Sequence, residues 1–165
     1  MLAPFPAPKL FPCGSDQKKG GTGAPAADRS PADRFGGVPD LPWTARAEME
    51  AGSGYLVMAS HLPLKRMSAT VRFLRGVSAV RRQLAAADGL VGYTLRARPL
   101  ARDYWTLSAW TDEGALRAFM RTPPHVQLMT SLRPYMGPTK FVTWSITAAD
   151  GRPNLAEALE HLGPA

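Results

Sequence analysis

His125 is the residue in this sequence best suited to proton transfer. It follows Thr122-Pro123-Pro124, where proline interrupts one helical pattern and opens another. If Thr122 caps the restarted helix, His125 falls in its first turn. There the positive end of the macrodipole disfavours imidazolium and keeps the ring neutral near pH 7. A neutral imidazole accepts a proton or ligates haem iron; a purely structural histidine would only bond backbone at the helix start. Trp110, Tyr93, Ser108 and Thr106 combine flat apolar walls with a few hydroxyls, as small-molecule pockets do. Phe119 adds a further wall and Ser60 a polar contact. Tryptophans at strand ends also serve as core or interface residues. Arg72 and Arg75 on a helix can neutralise an enolate, a carboxylate or a haem propionate if turned inward, or lie on a solvated face if not. His61 reaches such a site only if the first strand ends beside it, and His161 is expected on an exposed helix face. The sequence lacks a glycine-rich phosphate loop, His/Glu metal spacing, a Gly-x-Ser-x-Gly turn and a dinucleotide fingerprint.

These residues need a scaffold, and the stretch Tyr104–Trp110 supplies its centre. It alternates like a strand, but both sides are largely apolar or aromatic, so it is expected to be covered on both faces. Thr111 reads as the N-cap of the next helix, with Asp112 and Glu113 in its first turn. Ala115, Leu116, Phe119 and Met120 form that helix's apolar face, and Val126, Leu128, Met129 and Leu132 form the next one. Upstream, Tyr55–Leu62 is an apolar run of strand length. A long helix follows, with Ser68 as N-cap and a stripe of Val71, Leu74, Val77 and Leu84, edged by Val80 or Arg81; Arg72, Arg75, Arg82 and Gln83 fall mostly away from it. Gly89 supplies the left-handed stop. Leu90–Arg98 is a strand joined by a hairpin-length turn to the central one, and Lys140–Ile146 is the last strand. Asn154 caps a terminal helix with a stripe of Leu155, Leu159 and Leu162, ended by Gly163.

The order strand, helix, strand, strand, helix, strand predicts an α+β, ferredoxin-like βαββαβ fold with a four-stranded antiparallel sheet, plus a C-terminal helix. Helices on one side leave a second, aromatic face carrying Trp105 or Trp110 and Trp144. Such a face calls for a partner and predicts a homodimer.

Composition divides the chain. Residues 1–50 hold eight of the sixteen prolines and six of the fifteen glycines, with six Lys/Arg against six Asp/Glu, so they are expected to form a disordered tail. Met49 and Met58 offer alternative starts. The domain is expected over 54–147, with a helical extension over 148–165. The formal charge of +7 therefore sits in residues 51–165, with arginines spread rather than clustered and no nucleic-acid motif. The single cysteine, Cys13, excludes an intrachain disulfide framework and a cysteine zinc site. No run of about eighteen apolar residues suggests a membrane span, and a cytoplasmic location is expected.

The stretch Trp105–Phe119, followed closely by Pro124-His125, resembles the dimeric α+β barrel superfamily, and Leu56–Leu64 fits its first strand. Within that superfamily the chain is similar to the antibiotic biosynthesis monooxygenase-like and spheroidene monooxygenase-related proteins over about residues 54–147. The resemblance implies an intersubunit barrel with a pocket in each subunit between sheet and helices. It also implies one of several activities: oxidation of polyketide quinols or anthrones without metal or flavin, haem binding or degradation, or no catalysis. In quinone-forming members Asn, Trp, Tyr and Arg hold the phenolic substrate. Trp110 matches the Trp, whereas Ser60 stands where the first strand would carry Asn. Haem-degrading members place their histidine further along the helix, and Val126–Met129 contain none. The expectation is oxidation of a small phenolic or polyketide-like compound by dioxygen, with His125 as base, Trp110, Tyr93 and Phe119 as walls, and Ser108, Ser60 or Arg72 as polar contacts. A haem protein and a non-catalytic ligand-binding or dimerisation module are the alternatives.

Overall fold

The computed structural model describes residues 41–164. It contains β1 (Thr44–Ala45), β2 (Gly54–His61), α1 (Met67–Ala85), β3 (Leu90–Arg98), β4 (Asp103–Trp110), α2 (Glu113–Arg121), α3 (His125–Leu132), β5 (Lys140–Thr147) and α4 (Leu155–Leu162). The strands form one open antiparallel sheet in the order β1-β3-β4-β2-β5. The four long strands have the expected ferredoxin-like arrangement, with β4 and β2 at the centre. Their period-2 alternation decides which side chains share a face.

One face is covered by α1, α2 and α3. Trp110, Leu90 and Leu116 form one cluster there, while Tyr104, Phe73, Leu62 and Leu132 form another. The opposite face carries Tyr55, Val57, Ala59, Leu107, Ala109 and Ile146. Leu155 and Ala158 of α4 pack on it, with Trp43, Met49, Trp105 and Trp144 around them. Trp110 thus lies under the helices with no exposed surface, whereas Trp105 and Trp144 belong to the other face. That second face is also not bare, because the chain lays its own α4 and the segment around Trp43 across it.

The expected tail boundary at residue 50 is too late. Residues 44–45 pair with Tyr93 and Gly92 of β3 and add a fifth strand to the sheet. A Cβ on Gly92 would come within 2.5 Å of the Trp43 indole, so the missing side chain is what admits the tryptophan. Proline and glycine content obscured this short edge pairing, which depends on one aromatic and one glycine rather than on periodicity. The rest of the expected tail, residues 1–40, and Cys13 with it, lies outside the described residues.

The second half of the expected α1 stripe, Val77, Val80 and Leu84, faces inward, but the first half does not. Ala69, Thr70 and Phe73 are buried, while Val71 and Leu74 are 51% and 42% exposed. The inward face is the one bearing Gly76, where a Cβ would fall 2.3 Å from Leu128 of α3. Close approach of α1 and α3 selects this face although Val71 and Leu74 are the more apolar residues. The helix starts at Met67 after Arg66 without a side-chain cap, so Ser68 is inside it. The N-cap of α2 is Asp112, whose Oδ1 accepts the Ala115 N–H at 2.9 Å. Thr111 instead donates to the other carboxylate oxygen, which places Asp112 in capping geometry. Asn154 caps α4 as expected, and Gly163 ends it with φ +69°. Gly89 does have positive φ, but it enters β3 after α1 has already ended at Ala86.

The hydroxyls of Tyr104 and Thr70 are buried beside each other, and neither makes a well-formed hydrogen bond. Burial raises the Tyr104 phenol above its ordinary pKa. An unpaired buried hydroxyl costs about 1–3 kcal/mol. Tyr104→Phe, which keeps the ring against Phe73 at 4.2 Å, is therefore expected to raise stability by about 1 kcal/mol in thermal unfolding. A drop in the midpoint would show that the hydroxyl has a partner after all.

Candidate functional site

Between β3–β4 and the helices α1, α2 and α3 lies a cavity of about 120 Å³. Its walls are mostly apolar and include Phe73, Val77, Leu84, Leu95, Phe119 and Leu128, with Leu41 at the sheet edge. An apolar cavity of about 150 Å³ takes up benzene, so this space suits a single aromatic ring.

The polar groups on the wall are few. His125, the first residue of α3, donates from Nδ1 to the Met120 carbonyl at 3.1 Å. A carbonyl only accepts, so the neutral ring carries its proton on Nδ1 and leaves the Nε2 lone pair available. Burial lowers the His125 pKa from its ordinary value, and the Met120 contact opposes this. The ring is kept neutral by burial rather than by a macrodipole after a Thr122 cap. Thr122 in fact ends α2, and Pro124 precedes α3 without any side-chain cap.

Gln83 holds this corner together. Its Oε1 accepts the His125 backbone N–H at 2.9 Å, and its Nε2 donates to Phe119 O and Thr122 O, both at 3.0 Å. The His125 N–H thereby finds its acceptor on α1, and Phe119 O and Thr122 O, which also accept from Thr122 N–H and Val126 N–H, gain a second donor. Sequence reasoning placed Gln83 on the outer face. Gln83 is sequence-distant from the break, and only the packing of α1 on α2 and α3 reveals its role.

An aromatic arc connects the histidine to the sheet. His125 lies 4.8 Å from Phe119, and Phe119 lies 5.2 Å from Trp110. The Trp110 indole N–H donates to Ser108 Oγ at 2.9 Å. Ser108 is thus already an acceptor, which leaves its own O–H free to donate. Ser60 and Thr106 share a hydrogen bond of 2.6 Å.

Of the sequence-derived candidates, His125, Tyr93, Ser108 and Phe119 line the cavity. Trp110 and Ser60 stand one layer behind, against Phe119 and Ser108 and against Thr106 respectively. Arg72 is not on the wall: it is exposed, with its guanidinium 5.4 Å from the Tyr135 ring. Arg81, at the edge of the expected stripe, is the arginine among the lining residues, and it too is exposed. His61 is on the opposite sheet face, 3.2 Å from Asp103 and stacked on Trp105 at 4.8 Å. His161 stacks on Trp144 at 4.2 Å, also away from the cavity.

Haem does not fit this arrangement. His125 is the only histidine among the lining residues, and a space suited to one ring between Phe119, Leu128 and Leu84 leaves no room for a porphyrin. No group of three or more His, Cys, Asp or Glu among the described residues is arranged to hold a metal ion. No helix among them is long and apolar enough to cross a membrane.

No family model matches the sequence, and no curated protein is significantly similar to it. Solved structures do share the fold. A Fusobacterium nucleatum protein provisionally named a monooxygenase superposes with a TM-score of 0.53 at 9% identity, covering 62% of this chain and 46% of its own. This chain thus spans about half the length of that protein. SnoaB, a cofactor-independent oxygenase from Streptomyces nogalater, is similar with a TM-score of 0.45 at 21% identity, covering 62% of this chain and 98% of its own. The Fusobacterium nucleatum likeness shows a shared α+β, ferredoxin-like fold and nothing finer. Within one chain the sheet remains open.

Proposed function

We propose that the chain is a monooxygenase-like enzyme that oxidises a small phenolic or quinol-type compound with dioxygen, the substrate itself supplying the electrons. The observation that carries this reading is the His125 imidazole, held neutral with Nε2 available in a cavity that is otherwise nearly all apolar. A phenol or enol bound there gives its proton to Nε2. The resulting anion passes one electron to dioxygen, and the radical and superoxide combine to form a carbon–oxygen bond. The peroxide takes up the proton from His125. Where the oxidised carbon carries a second hydrogen, loss of water leaves a carbonyl. Ser108 O–H, directed by Trp110, is placed to stabilise the developing oxyanion, and the apolar walls strengthen both contacts by excluding water. The sequence resemblance to the antibiotic biosynthesis monooxygenase-like proteins is in keeping with this chemistry.

Oxygen consumption with a panel of quinols and anthrones tests the reading. Single-ring quinols are expected to turn over faster than tricyclic anthrones, because the cavity takes one ring. Background consumption across the panel, with a ligand that still quenches tryptophan fluorescence, would leave a binding module.

The homodimer is retained as part of the proposal, formed through the part of the second sheet face that α4 and Trp43 leave half-exposed around Trp105. Sedimentation equilibrium of the full chain is expected to give twice the chain mass at micromolar concentration, and a monomer would refute it.

A further inference from the structure

Charge is sorted along the strand axis. Three loops meet at one end of the sheet: residues 62–66, the β3–β4 turn, and residues 133–137. They are joined by hydrogen bonds from Leu64 N–H to Arg102 O at 2.9 Å, from Lys65 N–H to Tyr135 O at 2.8 Å and from Gly137 N–H to Pro63 O at 2.7 Å. This end carries Lys65, Arg66, Arg98, Arg102 and Arg133, with Arg72 over Tyr135. The carboxylate beside these loops, Asp103 at the start of β4, is already engaged by His61, and none of the six cations takes part in an ion pair among the described residues. At the other end, the loops joined by Thr111 N–H to Gly89 O and Ala148 N–H to Ser53 O hold Glu50, Asp88, Asp112 and Asp150, against the two cations Arg46 and Arg152.

The basic end also has an apolar tip. Leu100, in the turn between Arg98 and Arg102, is 89% exposed, and Met67, next to Arg66, is 47% exposed. An exposed leucine at the tip of a basic loop cluster gains nothing from a polyphosphate strand. It does gain from the boundary between lipid headgroups and acyl chains, where flanking cations lie at headgroup depth. We propose that this end is a docking surface for an anionic bilayer, with Leu100 entering the interface and Lys65, Arg66 and Arg133 facing lipid phosphates; Arg98 lies instead over the Trp105 ring at 5.6 Å. This surface is at the sheet end rather than at the cavity, and it does not depend on the oxidation chemistry.

Cosedimentation of the full chain with vesicles tests it, using phosphatidylcholine alone or with about one-third phosphatidylglycerol. The protein is expected to bind the anionic vesicles at low salt and to release as ionic strength rises past about 0.5 M. Lys65→Glu combined with Arg66→Glu is expected to weaken binding by about tenfold or more, and Leu100→Ser by several-fold. Arg152→Glu, in the loop at the acidic end, is expected to change nothing. Arg133→Glu provides a second charge test if the double variant does not fold, as judged by circular dichroism. Equal binding to neutral vesicles, no binding, or binding insensitive to the charge reversals would overturn the proposal. So would a duplex DNA that displaces the protein from vesicles while Leu100→Ser binds like the parent.

Discussion

His125→Ala is expected to lower oxygen turnover by about 100- to 10,000-fold, the range set by loss of a positioned general base. The effect should fall on kcat more than on substrate affinity, because the apolar walls remain and only the proton acceptor is removed. His61→Ala is the informative control. His61 pairs with Asp103 on the opposite face of the sheet, so its removal should leave turnover close to that of the parent. The pH profile follows from the lowered pKa. The active form is the neutral ring, so activity should hold from neutral pH downward past about 6.5, the ordinary histidine value, and decline only once the folded-state pKa is crossed. Stability has a related dependence. Below about 6.5 the unfolded chain takes up a proton that the folded chain does not, so stability falls as pH drops and levels off below the folded pKa. His125→Ala should remove this contribution. Turnover that survives the substitution would keep an oxidase and discard this base.

The elements of this fold were legible because their signals are local. Alternation from Tyr104 to Trp110, the proline break at Pro123-Pro124 and the caps Asn154 and Gly163 each act within a few residues, and the structure places strands and helices accordingly. The facing of α1 was not legible in the same way. Apolar count favours Val71 and Leu74, but the helix turns by what α3 requires at Gly76, a contact between residues 52 positions apart (128 − 76). Arg72 lies outside, as its place off the stripe implies, and Arg81, at the stripe's edge, is the arginine beside the cavity. Trp43 was missed for a comparable reason, since its binding partner is the absent side chain of Gly92.

The site was legible in its residue types but not in its linkages. His125, Tyr93, Ser108 and Phe119 meet at one cavity, as expected of two strands and a helix start that share a face. The bonds that give them chemical direction were invisible to a linear reading. Ser108 is made a donor by Trp110 two residues along the strand, which alternation does suggest, since both lie on one face. His125 is given its tautomer by Met120 across a turn, which no periodicity predicts.

Gln83→Leu is expected to cost about 1–3 kcal/mol in chemical denaturation, because it leaves the His125 N–H without its acceptor, while Phe119 O and Thr122 O lose one of two donors. The larger consequence is positional. With the clamp gone, nothing on α1 ties the start of α3 to the end of α2, and the His125 Nδ1 contact with Met120 O loses its anchor. The imidazole should then sample both tautomers and become more solvated, which moves its pKa up toward the ordinary value. Nitrogen NMR of His125 reads both changes directly, with or without a substrate. Gln83→Glu sharpens the test. Its carboxylate can still accept the His125 N–H but has no proton to donate to the two carbonyls, and it faces them as an anion. This variant should be less stable than the parent at neutral pH and recover part of the difference on acidification, when the carboxyl regains a donor. A purely structural filler would not produce that recovery. If both variants keep the Nδ1–H tautomer and the parental His125 titration, Gln83 supports the helix break but does not position the base.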